Sequence, residues 1–220
     1  MTDKKENVSK VIKSLESNNI NVVYAENKAE VCKIVKDMLF DGAVITAGGS
    51  VSVKESGVWD IINSPEYDFR DRTKAGITDE EKLEAFKAAV GCDFFFCSSN
   101  AVTENGELIN ADGNANRISS VAFGPKKVIM VIGVNKIVKD IDEGLLRIKK
   151  IAAPKNAVRL NTGTPCQKLG HCIALEKSDC PDMTDGCKSP RRMCIEYLIS
   201  GFHKEKGRVN VILCGETLGY

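Results

Sequence analysis

Apolar residues recur along this chain in two alternating periods, one of a helix and one of a strand. Val8, Val11, Ile12 and Leu15 fall on one helical face over residues 4–18, and Val31, Ile34, Val35, Met38 and Leu39 repeat that spacing. Between and after them stand the short apolar runs NVVYA (21–25) and AVITA (43–47), which read as strands. Ser52-Val-Lys-Glu55 has the spacing of a capping box and predicts a helix through Trp59 and Ile62. Residues 63–77 are charged and broken by Pro and Gly, which predicts a loop. Thr78 and Glu81 form a second capping box, opening a helix to about Val90. DFFFC (93–97), KKVIMVIG (126–133) and VNVILCG (209–215) are apolar runs too short for helices and read as buried strands. A helix with Ile141, Leu145, Ile148 and Ile151 facing inward follows the second of these, then a short helix before Leu160. Strands alternating with helices of this length predict an α/β fold with a mainly parallel sheet flanked by helices. There is no internal repeat and no low-complexity tract, so the reading is one domain over 1–220 with a cysteine-rich segment, 164–194, inserted before the last strand.

Composition narrows the partners. Thirty-one Lys and Arg against thirty Asp and Glu give a net charge of +1, which predicts no nucleic-acid face. No run reaches the length of a membrane span, and the start, MTDKKENVSK, lacks an apolar signal core. The expectation is a soluble cytoplasmic protein, with homo-oligomerisation left open.

Three stretches carry candidate chemistry. Thr46-Ala-Gly-Gly-Ser50 sits at a strand's carboxyl end before a helix, where open α/β sheets bind ligands. Gly48 and Gly49 would let backbone N–H groups approach an anion, and Ser50 adds a hydroxyl. The spacing is neither a dinucleotide fingerprint nor a phosphate loop, and no nicotinamide or flavin motif occurs elsewhere. A tight turn needing Gly for its dihedrals explains the stretch equally well.

The second stretch, AVTENGELINADGNANR (101–117), also follows a strand's carboxyl end. Asn105-Gly106 predicts a hairpin turn with positive φ at both residues, and the remainder reads as a polar rim loop ending at Arg117. Arg117 would fork a small carboxylate, with Asn114 and Asn116 adding hydrogen bonds. Glu104 is the candidate base or nucleophile. The competing explanation is a turn satisfying its own backbone.

Nine cysteines are the compositional anomaly, and five fall between Cys166 and Cys194 with spacing C-x5-C-x7-C-x6-C-x6-C. Without a secretion signal the expected use is metal rather than disulfides. Four thiolates suit zinc or an iron–sulfur cluster. Cys166, Cys172, Cys187 and Cys194 are the expected ligands, Cys180 the spare, and His171 a possible substitute.

NAVTENGELINADGNANR, flanked by DFFFCSS and KKVIMVIGVNKIV, resembles the signature region of the LUD family, the lactate-utilisation (YkgG-like) proteins. The TAGGS turn, the TPC…C…CKSPRRMC segment and the terminal CGETLGY resemble the family's stand-alone bacterial branch, and the resemblance covers essentially the whole chain. The spacer between Cys172 and Cys187 is longer than the family's usual one. The resemblance implies a NagB/RpiA/CoA-transferase-like fold with its ligand site on the strand-end rim, which adds Asn100 to the expected binding set. It also implies a part in oxidising lactate or a similar hydroxy acid, beside iron–sulfur partner subunits. Two alternatives remain: a non-catalytic ligand-binding or scaffold subunit with structural zinc, and an acyl-CoA/carboxylate transferase, since Glu104-Asn105-Gly106 is similar to the Glu-Asn-Gly of certain CoA-transferases.

Overall fold

The computed structural model describes residues 2–220. The strands are β1 (Asn21–Ala25), β2 (Val44–Ala47), β3 (Asp68–Arg70), β4 (Phe94–Cys97), β5 (Ala101–Thr103), β6 (Leu108–Asp112), β7 (Lys127–Gly133), β8 (Ile137–Val138), β9 (Glu196–Ser200) and β10 (Val209–Cys214). Six of them form one all-parallel sheet in the order β1-β10-β7-β4-β2-β3. Its middle strands are buried on both faces, which is why β4, β7 and β10 read as unbroken apolar runs. The edge strand β1 alternates instead at its start, with Asn21 and Val23 exposed and Val22 half-buried between them.

Helices cover both faces: α1 (Thr2–Ser17), α2 (Lys28–Met38), α3 (Val51–Glu55), α4 (Val58–Ile62), α5 (Asp79–Ala89), α6 (Asn116–Ala122), α7 (Ile141–Arg147), α8 (Ala153–Arg159) and α9 (Pro165–Leu169). The period-2 alternation of β7 divides the core. Val128, Met130 and Ile132 face one side with Val11 and Leu15 of α1, whereas Ile129 and Val131 face the other with Val31, Val35, Val53 and Ile62. At about 25 cal/mol per Å² of apolar surface, each fully buried aliphatic contributes roughly 1.5–3 kcal/mol. The central strands therefore carry most of the fold's stability.

A second sheet, order β8-β5-β6-β9, was not foreseen. It packs its own small core of Ala101, Ile109, Val138, Ile148 and Cys194. Residues 108–112, expected as part of a rim loop, are its strand β6, paired antiparallel with both β5 and β9. The hairpin at Asn105-Gly106 forms, but as a three-residue loop: Gly106 N–H donates to Thr103 O (3.0 Å), and only Gly106 has positive φ (+83°). The two-residue turn with both residues at positive φ is thereby corrected.

Three further expectations shift. The helix after TAGGS is capped by Ser50, whose Oγ accepts from Val53 N–H, and Ser52 lies buried inside it. That helix breaks at Gly57 (φ +82°) into α3 and α4 rather than running on. The loop 63–77 contains β3, a three-residue edge strand too short and polar to show a pattern. The helices about residue 150 are one run, because a π-helical turn (Ile148–Ala152) joins α7 to α8. The Thr78/Glu81 capping box is present with both of its hydrogen bonds.

Candidate functional site

The carboxyl ends of the parallel strands open on a cavity of about 260 Å³. Ser50 and Ser52 follow β2, Arg72 follows β3, Ser98 and Asn100 follow β4, Lys136 follows β7 and Tyr220 follows β10. α6 contributes Asn116 and Arg117, and α8 contributes Asn156 and Arg159. A parallel sheet ends all its strands on one rim, so residues far apart in sequence meet there.

Of the residues expected from sequence, Gly49, Ser50, Asn100, Asn114, Asn116 and Arg117 line this cavity. Gly48 lies just behind it, with a Cβ there meeting Arg117 Cδ at 3.4 Å. Glu104 does not line it. The hairpin tip carries Glu104 to α1, where its Oε2 pairs with Lys10 Nζ at 2.7 Å. That ion pair, ahead of other causes, holds the Glu104 carboxyl below its ordinary value, so it is a poor base.

Arg117 has a different task from the one expected. Nε donates to Asp112 Oδ1 (3.1 Å), Nη1 to Ser98 O (3.0 Å) and Asn110 Oδ1, and Nη2 to Asn100 Oδ1 and Ala111 O (both 2.9 Å). All five guanidinium N–H groups are consumed. No donor is left to fork a ligand. Arg117 instead ties the end of β4 to β6 and α6. Asp112 completes the tie, since its Oδ2 accepts from the backbone N–H of Arg117 (2.9 Å) and Ile118 (3.0 Å). Asn100 Oδ1 also accepts from Ala111 N–H, so its amide oxygen serves the wall rather than the cavity.

The cations facing the cavity are Arg72, Lys136 and Arg159, and of these the two arginines keep N–H donors free for a ligand. Arg72 Nε reaches only Ala47 O at a long 3.4 Å, and Asn116, its amide oxygen turned toward the guanidinium, accepts from Nη2 at 3.1 Å. Burial depresses Arg72 below its ordinary value, with Asp112 opposing. Arg159 is steadied by neutral groups, Asn156 Oδ1 (2.7 Å from Nη2) and Tyr220 OH (2.8 Å from Nε), with no carboxylate on it. Lys136 is 3% exposed, and its Nζ meets Ser52 Oγ (2.9 Å), Ser98 Oγ (3.1 Å) and Ser99 O (3.2 Å). Burial first, then Arg147 and Arg117, lower its pKa to about 7, against the weaker pull of Glu55. Buried Cys97 is pushed up to about 12 and stays a neutral thiol. Among the described residues, the carboxylate side chain that lines the cavity, Asp112, is bound to Arg117. The cavity is therefore cationic, with an amine at its base that titrates near neutrality.

Sequence reasoning missed all three cations. Lys136 carried one weak signal, its place just beyond the carboxyl end of the strand KVIMVIG. Arg72 lay in an expected loop and Arg159 in an expected short helix, with no motif around either.

The cysteine expectation concerns a second, small cavity beside the first. Cys166, Cys172, Cys187 and Cys194 all line it, with Thr164, Lys149 and Arg192. Cys180 is exposed and apart, and His171 lies outside, facing Glu176 at 3.8 Å. All nine cysteines are free. Among the described residues, however, no group of three or more His, Cys, Asp or Glu side chains is set to hold a single metal ion.

A six-stranded parallel α/β sheet with a cationic strand-end cavity defines the class, and comparison with known proteins supplies the family. The LUD domain family matches residues 8–214, and the chain belongs to that family. A solved DUF162 family protein from Deinococcus radiodurans is similar in fold, with a TM-score of 0.51 at 16% identity over 96% of this chain and 98% of that one. Ribose 5-phosphate isomerase from Plasmodium falciparum aligns at a TM-score of 0.33 and 12% identity, over 82% of this chain and 79% of that one. The delta subunit of eIF2B from Chaetomium thermophilum aligns at 0.35 and 16%, over 55% of this chain and 51% of that one. No curated protein matches the chain. Among the described residues no helix is long and apolar enough to cross a membrane.

Proposed function

We propose that this LUD protein binds a small carboxylate in its strand-end cavity and takes part in oxidising lactate or a similar hydroxy acid. The observation that carries the binding is the meeting of Arg72, Lys136 and Arg159 around one cavity whose lining carboxylate side chain, Asp112, is already paired. Three cations within reach of one small volume suit a compact anion, and guanidinium groups suit the planar geometry of a carboxylate. The family's association with lactate utilisation supplies the substrate class. Removing two electrons from a hydroxy acid also releases the hydroxyl proton. The hydrogen on the carbinol carbon leaves with the two electrons, as hydride, to an acceptor on a redox partner subunit, and the hydroxyl proton passes to water. A ligand-binding subunit without turnover of its own uses the same cavity. Acyl transfer through Glu104 draws no support from the geometry, because that carboxylate lies against Lys10 outside the cavity.

Calorimetric titration with lactate, pyruvate and phosphate tests this reading. Each charge-assisted hydrogen bond lost costs about 1.5–3 kcal/mol, so Arg159→Gln and Arg72→Gln should each weaken carboxylate binding by roughly 10- to 100-fold. Glu104→Gln should leave it unchanged. Equal affinity across all three variants would remove the ligand from this cavity.

A further inference from the structure

Gly49 is not among the glycines with positive φ, so its backbone conformation does not call for a missing side chain. What surrounds it does. A Cβ there would meet Arg159 Nη2 at 3.8 Å, Arg159 Nη1 at 4.0 Å and Arg72 Nη2 at 4.0 Å. Two guanidinium groups, one following β3 and one on α8, thus face the same small gap above a single glycine, and any larger side chain would fill it. The N–H groups of Gly48 and Ser50 donate to Phe96 O (2.9 Å) and Gly48 O (2.8 Å), whereas that of Gly49 meets no acceptor among the described residues.

Two like charges facing one gap repel each other, and burial chiefly, with Arg159 adding to it, lowers Arg72. Nearby carboxylates are engaged elsewhere. Asp112 is bound to Arg117, and Asp71 Oδ1 accepts from Thr73 N–H and Oγ1 (both 2.7 Å) in its own loop. Behind the cavity wall, buried Arg147 donates only to carbonyls, Asn100 O (2.6 Å) and Asn135 O (3.2 Å). Among the described residues Arg72, Arg147, Arg159 and Lys136 therefore stand around one cavity without an ion pair to a carboxylate. A ligand with a single negative charge offsets only one of them.

We propose that the ligand of the strand-end cavity carries a phosphate monoester, which Arg72 and Arg159 hold between them over Gly49. One guanidinium fork satisfies the two oxygens and single charge of a carboxylate. A phosphate monoester has three terminal oxygens and roughly 1.5 to 2 negative charges at pH 7, enough to engage both forks at once. The proposal rests on the reading that this cavity is the ligand site, and it specifies the outer end of that ligand. The hydroxy acid is then a phosphorylated one, with its carboxylate and hydroxyl deeper in the cavity. A hydroxy acid without phosphate uses the same two arginines, but less fully.

Calorimetric titration of the full chain at pH 8 with glycerate, malate and 3-phosphoglycerate tests it. The three probes are hydroxy acids that differ in carrying no second anion, a second carboxylate or a phosphate. 3-Phosphoglycerate should bind at least tenfold tighter than either of the others. Gly49→Val, which fills the gap, and Arg159→Gln should each shrink that ratio toward one. Should Gly49→Val not fold, Arg159→Gln carries the test, since Arg159 is exposed and its loss opens no core. Glycerate binding as tightly as 3-phosphoglycerate, and still weakened in Arg159→Gln, overturns the phosphate and leaves the carboxylate reading standing. Malate matching 3-phosphoglycerate overturns it in favour of a dicarboxylate. A ratio unchanged in both variants overturns the place assigned to the phosphate, and binding of none of the three overturns the ligand site itself.

Discussion

Replacing Lys136 with Met keeps the length of the side chain and removes its amine, which isolates the cost of placing a charge at the floor of the cavity. An ordinary lysine titrates at 10.5, whereas burial brings this one to about 7. At 1.36 kcal/mol per pH unit the difference is on the order of 5 kcal/mol. The sign follows from which state holds the proton. Below pH 7 both folded and unfolded chains are protonated at Lys136, and folding bears the full cost of the buried charge. Between about 7 and 10.5 the unfolded chain keeps a proton that the folded chain has released, so stability rises with pH. The gain between pH 7 and 9 is about 2 kcal/mol, because the folded group is still half protonated at pH 7. Lys136→Met lacks this dependence. Urea unfolding of both proteins from pH 6 to 9.5 should therefore give a stability difference that moves steadily in favour of the wild type as pH rises. The variant also loses hydrogen bonds to Ser52, Ser98 and Ser99, but that adds an offset without slope. A carboxylate bound beside the amine would favour its charged form. Calorimetry at pH 8 in buffers of differing ionisation heat should then show proton uptake on binding, absent in Lys136→Met. A stability difference flat with pH would refute the buried, uncompensated charge.

Two further outcomes test the framework of the site. Arg117→Met strands Asp112, Asn110 and two backbone carbonyls in the wall, and should lower stability by about 3–5 kcal/mol in urea unfolding. A loss under 1 kcal/mol would mean that Arg117 is a ligand group and not a tie. Gly106→Ala combines a positive φ with a Cβ 2.7 Å from the Ser14 backbone, so it should cost more than the roughly 1–2 kcal/mol of a left-handed alanine alone. An unchanged melting temperature would contradict the close packing of the hairpin tip on α1.

The sequence by itself determined the parallel sheet. β4, β7 and β10 are buried on both faces, and only unbroken apolar runs satisfy that environment. It also determined the Thr78 cap and the separation of Cys180 from the other four cysteines of its segment, both of which follow from local spacing or composition. The second sheet was not legible. β8 has two residues, and β9 is half-buried with no regular alternation, so only pairing with β5 and β6 makes them strands. The site was legible in its location and not in its roles. Arg117, Arg72 and Arg159 are the same residue in the sequence, and what separates them is where their donors go. The fold brings Ser98, Asn100, Asn110, Ala111 and Asp112 around Arg117 and consumes every N–H it has. It leaves Arg72 and Arg159 facing the cavity without a carboxylate, and buries Lys136 among serines. A charge acquires its function from the partners that tertiary structure supplies or withholds, and those partners come from strands that meet only when the sheet has formed.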